Sequence, residues 1–169
     1  MEDLWAVLRF GHFLAAVFMA APLYALLAVN ERGRFGTAIV HDRDHYMEGM
    51  IRRQPLRCFA YLAMLVVTGL LLSALGGGLG MLSVNRTLAV HVFFFLLLVG
   101  LLSYVHFALQ PRIDALLGRV QPAGTAAQDV ARDLWPLRRR RKKMATALLL
   151  LAALFAWRVY RSLLHYGWF

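Results

Sequence analysis

Between Thr87 and Arg112 the chain reads TLAVHVFFFLLLVGLLSYVHFALQPR, an apolar run with no charge before Arg112 and two histidines, His91 and His106. A helix of about 20 residues, each rising about 1.5 Å, crosses a bilayer. An ionisable side chain at membrane depth is costly to hold there, so each of these histidines is a candidate for function. Fifteen residues separate them, or about 22 Å along a helix. They fall within roughly 60° of each other around its axis. One helix therefore offers two imidazoles on similar faces, one near each membrane surface.

A third histidine, His12, stands in the first apolar run, within LRFGHFLAAV. If alternate runs are antiparallel, His12 and His91 lie in the same leaflet, at depths differing by roughly 6 Å. Two neutral imidazoles facing each other across a helix bundle suit a six-coordinate haem iron. Arg9 and Arg86 lie near the same level and are placed to pair with haem propionates. The expected site is b-type haem, with His12 and His91 as axial ligands and Arg9 and Arg86 beside it. The plainer reading is that each histidine only hydrogen-bonds to a neighbouring helix. His106 has no histidine at its own depth in another run, so a second haem is not expected. An inner quinone-type site using His106 is left open by the sequence but not supported by it.

A second cluster lies outside the apolar runs. His41, Asp42, Asp44, His45 and Glu48 follow one another closely. His41 and His45 are four residues apart, on one helical face, with Glu48 near. That spacing fits a metal such as zinc or copper. The same residues at helical spacing also suit a solvated face paired with nearby arginines. The methionines form no row within an apolar run, which weakens a copper pathway, since thioethers are what Cu(I) prefers.

These residues need elements to hold them. The chain has 169 residues, 60% hydrophobic, with mean hydropathy +0.58. Soluble domains sit near 45–50% apolar, so the expectation is an integral membrane protein of class all-α. It is read as an antiparallel four-helix transmembrane bundle in one domain, with spans at about 4–29, 56–75, 87–110 and 144–163. The first run has an acidic start, Glu2 and Asp3, and is read as a retained helix rather than a cleaved leader. Gly11, Ala15, Ala16 and Ala20 supply small-residue spacings for close packing, and Pro22 is expected to kink the helix. Proline at Pro111 is expected to stop the third helix. Residues 37–53 are expected to form a surface helix. Residues 113–143 are read as a loop. Cys58 is the single cysteine, which excludes an internal disulfide.

The net charge of +10 is not read as a nucleic-acid signal, because no binding motif accompanies it. All but four of the 19 Lys+Arg, the exceptions being Arg9, Arg86, Arg158 and Arg161, lie between residues 30 and 57 or 112 and 143. By the positive-inside rule those two loops are cytoplasmic and both termini face outward, in a bacterial inner membrane. The run Arg138 to Lys143 reads as an anchor to anionic lipid. Trp157, Tyr160, Tyr166, Trp168 and Phe169 read as an outer aromatic belt, with His165 at that interface.

The segments LRFGHFLAAV, VTGLLL and VHFALQPRIDALL resemble the small four-helix bacterial membrane proteins around copper-resistance protein D and the HemJ-type protoporphyrinogen oxidase. The resemblance covers about the first two-thirds of the chain. It implies that the first-span histidine, His12, ligates haem or a metal. The glycine and tryptophan of that family after this histidine are replaced here by residues 18–22, so the resemblance implies haem binding more than oxidase activity. Three functions follow as expectations. One is an electron-transferring haem protein or cytochrome-like subunit. Another is a cofactor-free accessory subunit of a larger membrane complex. The third is transport of copper or another metal, with His41 and His45 as a relay.

Overall fold

The computed structural model describes residues 2–32, 38–75, 86–122, 124 and 128–165, and among them every regular element is helical. The elements are α1 (Glu2–Phe18), α2 (Ala20–Arg32), α3 (His41–Arg52), α4 (Gln54–Leu75), α5 (Arg86–Ser103), a π-helical turn (Tyr104–Leu109), α6 (Gln110–Leu117) and α7 (Gln128–His165). They join end to end into four long helical rods.

Prolines set the joints. Pro22 has no N–H to give to the carbonyl four residues back, and that residue, Phe18, is where α1 ends. The helix resumes after Met19, whose own N–H still bonds the Ala15 carbonyl at 3.1 Å. Pro55 stands just inside the start of α4 and separates it from α3 by one residue, Arg53. At Pro111 the expected stop does not occur. The preceding turn widens instead, and the Gln110 N–H bonds the Val105 carbonyl five residues back. An extra residue in the turn moves the Phe107 carbonyl away from the proline ring. The helix then runs on to Leu117.

Three of the rods are long and apolar enough to cross a membrane: Asp3–Ala28, His41–Leu75 and Ala89–Leu117. The expected fourth span, 144–163, is the second half of α7. Its first half, from Gln128, lies where a loop was expected. The faces turned inward carry Ala15, Ala16, Met19 and Leu23; Cys58, Leu62 and Leu65; Leu98, Leu102, Val105 and Leu109; and Leu148, Ala152 and Phe155. Their steps of three and four are the repeat of supercoiled helices, and the alanines let backbones approach closely. The opposite faces expose Val67, Leu70, Phe93, Leu96 and Leu150. Helix α1 packs most closely on α4 and then on α7, α2 packs on α7, and α5 packs on α7. Contact between α4 and α5 is the loosest of the bundle sides.

At one end the interior stripe turns polar. Along α7 the buried positions are Val130, Leu134, Arg138, Arg141, Ala145, Leu148, Ala152 and Phe155. Two members of the basic run thus occupy core positions, with exposures of 3% and 0%. Arg139, Arg140, Lys142 and Lys143 are exposed, so the lipid-anchor reading of the whole run is corrected for Arg138 and Arg141. Facing them on α3 are Asp44 (0%) and Glu48 (3%). This helix is therefore not the surface helix expected; its Asp44–Glu48–Ile51 stripe is buried.

Arg138 donates from Nη1 to Asp44 Oδ1 at 2.7 Å and from Nε to Glu48 Oε1 at 3.0 Å. Arg141 grips both Glu48 oxygens, Nη2 reaching Oε1 at 3.0 Å and Nη1 bonding Oε2. Gln110 accepts from Arg141 Nη1 at 3.0 Å and donates to Glu48 Oε2 at 3.2 Å and Asp114 Oδ1 at 3.1 Å. The other oxygen of Asp44, Oδ2, accepts the Val40 N–H at 2.9 Å and so caps α3, with Arg43 Nη2 at 3.4 Å. Below this layer a second apolar cluster closes the end, with Ile39, Ile113, Leu117, Val120, Val130 and Leu134. Burial by itself pushes the Glu48 carboxyl up. The Arg141 bonds and charge, the Arg138 charge and the Gln110 amide outweigh it and hold Glu48 below its ordinary range.

Two outcomes follow. Arg141→Met leaves Glu48 buried with half its partners, and unfolding in mild detergent should show a loss of about 3–5 kcal/mol, much of it restored in Arg141→Met/Glu48→Leu. Because the Glu48 carboxyl titrates lower when folded than when unfolded, its stabilisation is complete above the ordinary glutamate value of 4.5 and drains away as pH falls through its depressed folded value. Thermal melts across that acid range should show the loss, and Glu48→Gln should flatten it.

Candidate functional site

The α1 stripe that buries Ala15, Ala16 and Met19 starts one turn earlier with His12. That periodicity turns the imidazole toward α4, where Thr68 is buried. His12 Nδ1 and Thr68 Oγ1 are 2.7 Å apart. The single hydroxyl proton of Thr68 is used on the Met64 carbonyl at 2.7 Å, with the Leu65 carbonyl at 3.3 Å. With that proton assigned to Met64, Thr68 accepts from His12 and the ring proton is assigned to Nδ1; the ring also bonds the Leu65 backbone. That leaves Nε2 as the lone-pair nitrogen. A second-sphere partner of this kind, fixing tautomer and ring plane, is what metal-bound histidines use. Gly69 lies beside the ring: a Cβ there would stand 3.4 Å from His12 Cε1 and 3.9 Å from Nδ1, ordinary van der Waals contact. Nothing in the histidine pattern signalled this pair. The Thr68-Gly69 step amid leucines was the available sign.

His91, on α5, stands edge-on to Phe155 of α7, with ring centroids 5.9 Å apart. His12 thus has its described contacts on α4, and His91 on α7. Arg9 holds its guanidinium 3.5 Å over the Trp5 ring of its own helix, a cation–π contact that orients it. Arg86 is the first residue of α5. Its side chain, like that of His165, lies outside the described residues. A cation that the sequence reading did not single out is Arg158, one turn beyond Phe155, with its guanidinium 6.0 Å from the Phe94 ring.

The metal face expected of His41, His45 and Glu48 is not assembled. The two imidazoles lie with centroids 4.2 Å apart and planes tilted by 42°, and His41 Nδ1 bonds Asp42 Oδ1 at 2.9 Å. Glu48 is turned away and held by Arg138 and Arg141. Among the described residues no group of three His, Cys, Asp or Glu gathers with metal-binding geometry. His106 meets no second histidine and is flanked by Phe59 and Phe107.

Comparison with family models, with curated proteins and with solved structures finds no match to this chain. The site stands on its own geometry.

Thr68→Val removes the acceptor at nearly constant volume. Nitrogen NMR of histidine-labelled protein should show His12 as the Nδ1–H tautomer in the parent chain and as a mixture of tautomers in the variant, with helix content unchanged.

Proposed function

We propose that this chain is an integral membrane four-helix bundle that holds b-type haem between His12 and His91 and carries electrons at one membrane face. The observation that supports it most is the Thr68 bond to His12, which presets the imidazole as an Nε2 donor. His91 supplies the opposing imidazole from α5, and neutral imidazole pairs are standard axial ligands. Arg9, Arg86 and the additional cation Arg158 stand at that level of the bundle and suit the two propionates. Bound there, haem supplies a one-electron couple; the chain's own groups set its ligand field and counter its charge.

The arrangement in the membrane follows from charge. The Arg138–Arg141 layer and the exposed Arg139, Arg140, Lys142 and Lys143 mark one end as cytoplasmic. The His12–His91 level then belongs to the outer leaflet of a bacterial inner membrane, with both termini outside. The resemblance to the copper-resistance protein D and HemJ-type group agrees with a first-span histidine as ligand.

A second reading has one observation in its favour. The Phe155 ring already packs edge-on against His91, as it would in a cofactor-free subunit that packs against other membrane proteins. Absorption spectra separate the two. Protein expressed with haem supplied should show a Soret band and, after dithionite, a sharp α band. His12→Ala and His91→Ala should abolish six-coordinate low-spin haem, and Thr68→Val should weaken haem affinity by about 10–100-fold. A colourless, well-folded parent chain overturns the haem reading and leaves the accessory-subunit one.

A further inference from the structure

His106 sits in the π-helical turn, far along the bundle from His12, and nothing above uses it. Its Nδ1 is fully buried and without a hydrogen-bond partner. Among the described residues no hydrogen bond reaches the other ring nitrogen either. The imidazole is bracketed by aromatic rings: Phe59 of α4 stands edge-on at 6.0 Å, Phe107 at 4.7 Å, and the two phenylalanines meet each other at 6.3 Å. Phe107 is 70% exposed. The group lies on the α4–α5 side, where the bundle is least tightly closed.

A neutral imidazole carries one N–H and one lone pair. Buried N–H groups are left unpaired far less often than buried acceptors. The proton therefore belongs on Nε2, the nitrogen that is not sealed in. In hydrocarbon such a donor finds no water, and an unmet donor is costly. It calls for a carbonyl oxygen delivered from the lipid side. Two phenylalanine rings beside it favour a flat, conjugated head, which stacks on aromatic faces. π-turns of this kind recur where helices bind ligands.

We propose that His106, Phe59 and Phe107 form a lateral binding site for a membrane-soluble quinone, one ring carbonyl accepting the His106 Nε2–H. A phospholipid ester offers the same acceptor atom without a ring to stack. The site does not depend on haem, since it shares no residue with the His12–His91 pair.

The test uses the full chain, labelled with nitrogen-15 histidine, in nanodiscs of ether-linked phosphatidylcholine, which has no ester carbonyl. Decylubiquinone is the probe. The expected result is a saturable displacement of the His106 Nε2 signal while the His12 signal stays fixed, with no such signal in His106→Phe. Phe107→Leu, at an exposed position that does not threaten folding, should weaken binding by about three- to tenfold. A displacement that grows only in proportion to added quinone overturns the proposal, as does undiminished binding in Phe107→Leu. So does a displacement produced by ester-linked lipid alone to which quinone adds nothing; the occupant is then lipid.

Discussion

Two arginines buried in the middle of a helix need partners, and in this chain that need organises one whole end of the molecule. Arg138 and Arg141 occupy consecutive core positions of α7. Nothing but a matched set of acceptors makes such a position tolerable, because each ion forfeits its hydration. Asp44 and Glu48, spaced by four on α3, supply them, and Gln110 fills the remaining gap. The charges balance two against two. The fork of Arg141 on Glu48 admits one relative height and one rotation of the two helices. An all-apolar seam between them would tolerate a slip by a turn far more easily. The layer thus acts as a register pin, whatever its net contribution to stability.

The rest of the architecture can be followed from that pin. To bring Gln110 inward, the third rod must rotate its stripe, and it does so through the π-turn ahead of Pro111. Buried positions there step from Val105 to Leu109, Ile113 and Leu117, four at a time, where a regular supercoil would insert a three. The same distortion leaves His106 with an unpaired nitrogen. A single extra residue per turn therefore links the polar layer to the aromatic group on the α4–α5 side. Above the layer, apolar seams run on toward His12.

At the His12 level the governing constraint is one hydroxyl proton. Thr68 commits it to its own helix, and the imidazole must then donate. Gly69 lies beside the same ring, at a distance where a Cβ would make ordinary contact.

Much of this was legible in the chain itself. Four apolar runs, their helical periodicity, the kink at Pro22 and the inward face bearing His12 are local properties, and local spacing decides them. That His12 and His91 lie at similar depths on their helices could be read from residue count times rise. The sequence also held Arg138 and Arg141 on the stripe of Leu134, Ala145 and Leu148, although a basic run invites a surface reading. What it could not state was which acid each arginine meets, more than 90 residues away in the case of Asp44. Nor could it place Thr68 against His12, open the turn at Pro111, or turn Glu48 away from His41 and His45. Each of these depends on how far one helix slides and rotates against another. Periodicity fixes a face, but only the packed bundle fixes a height.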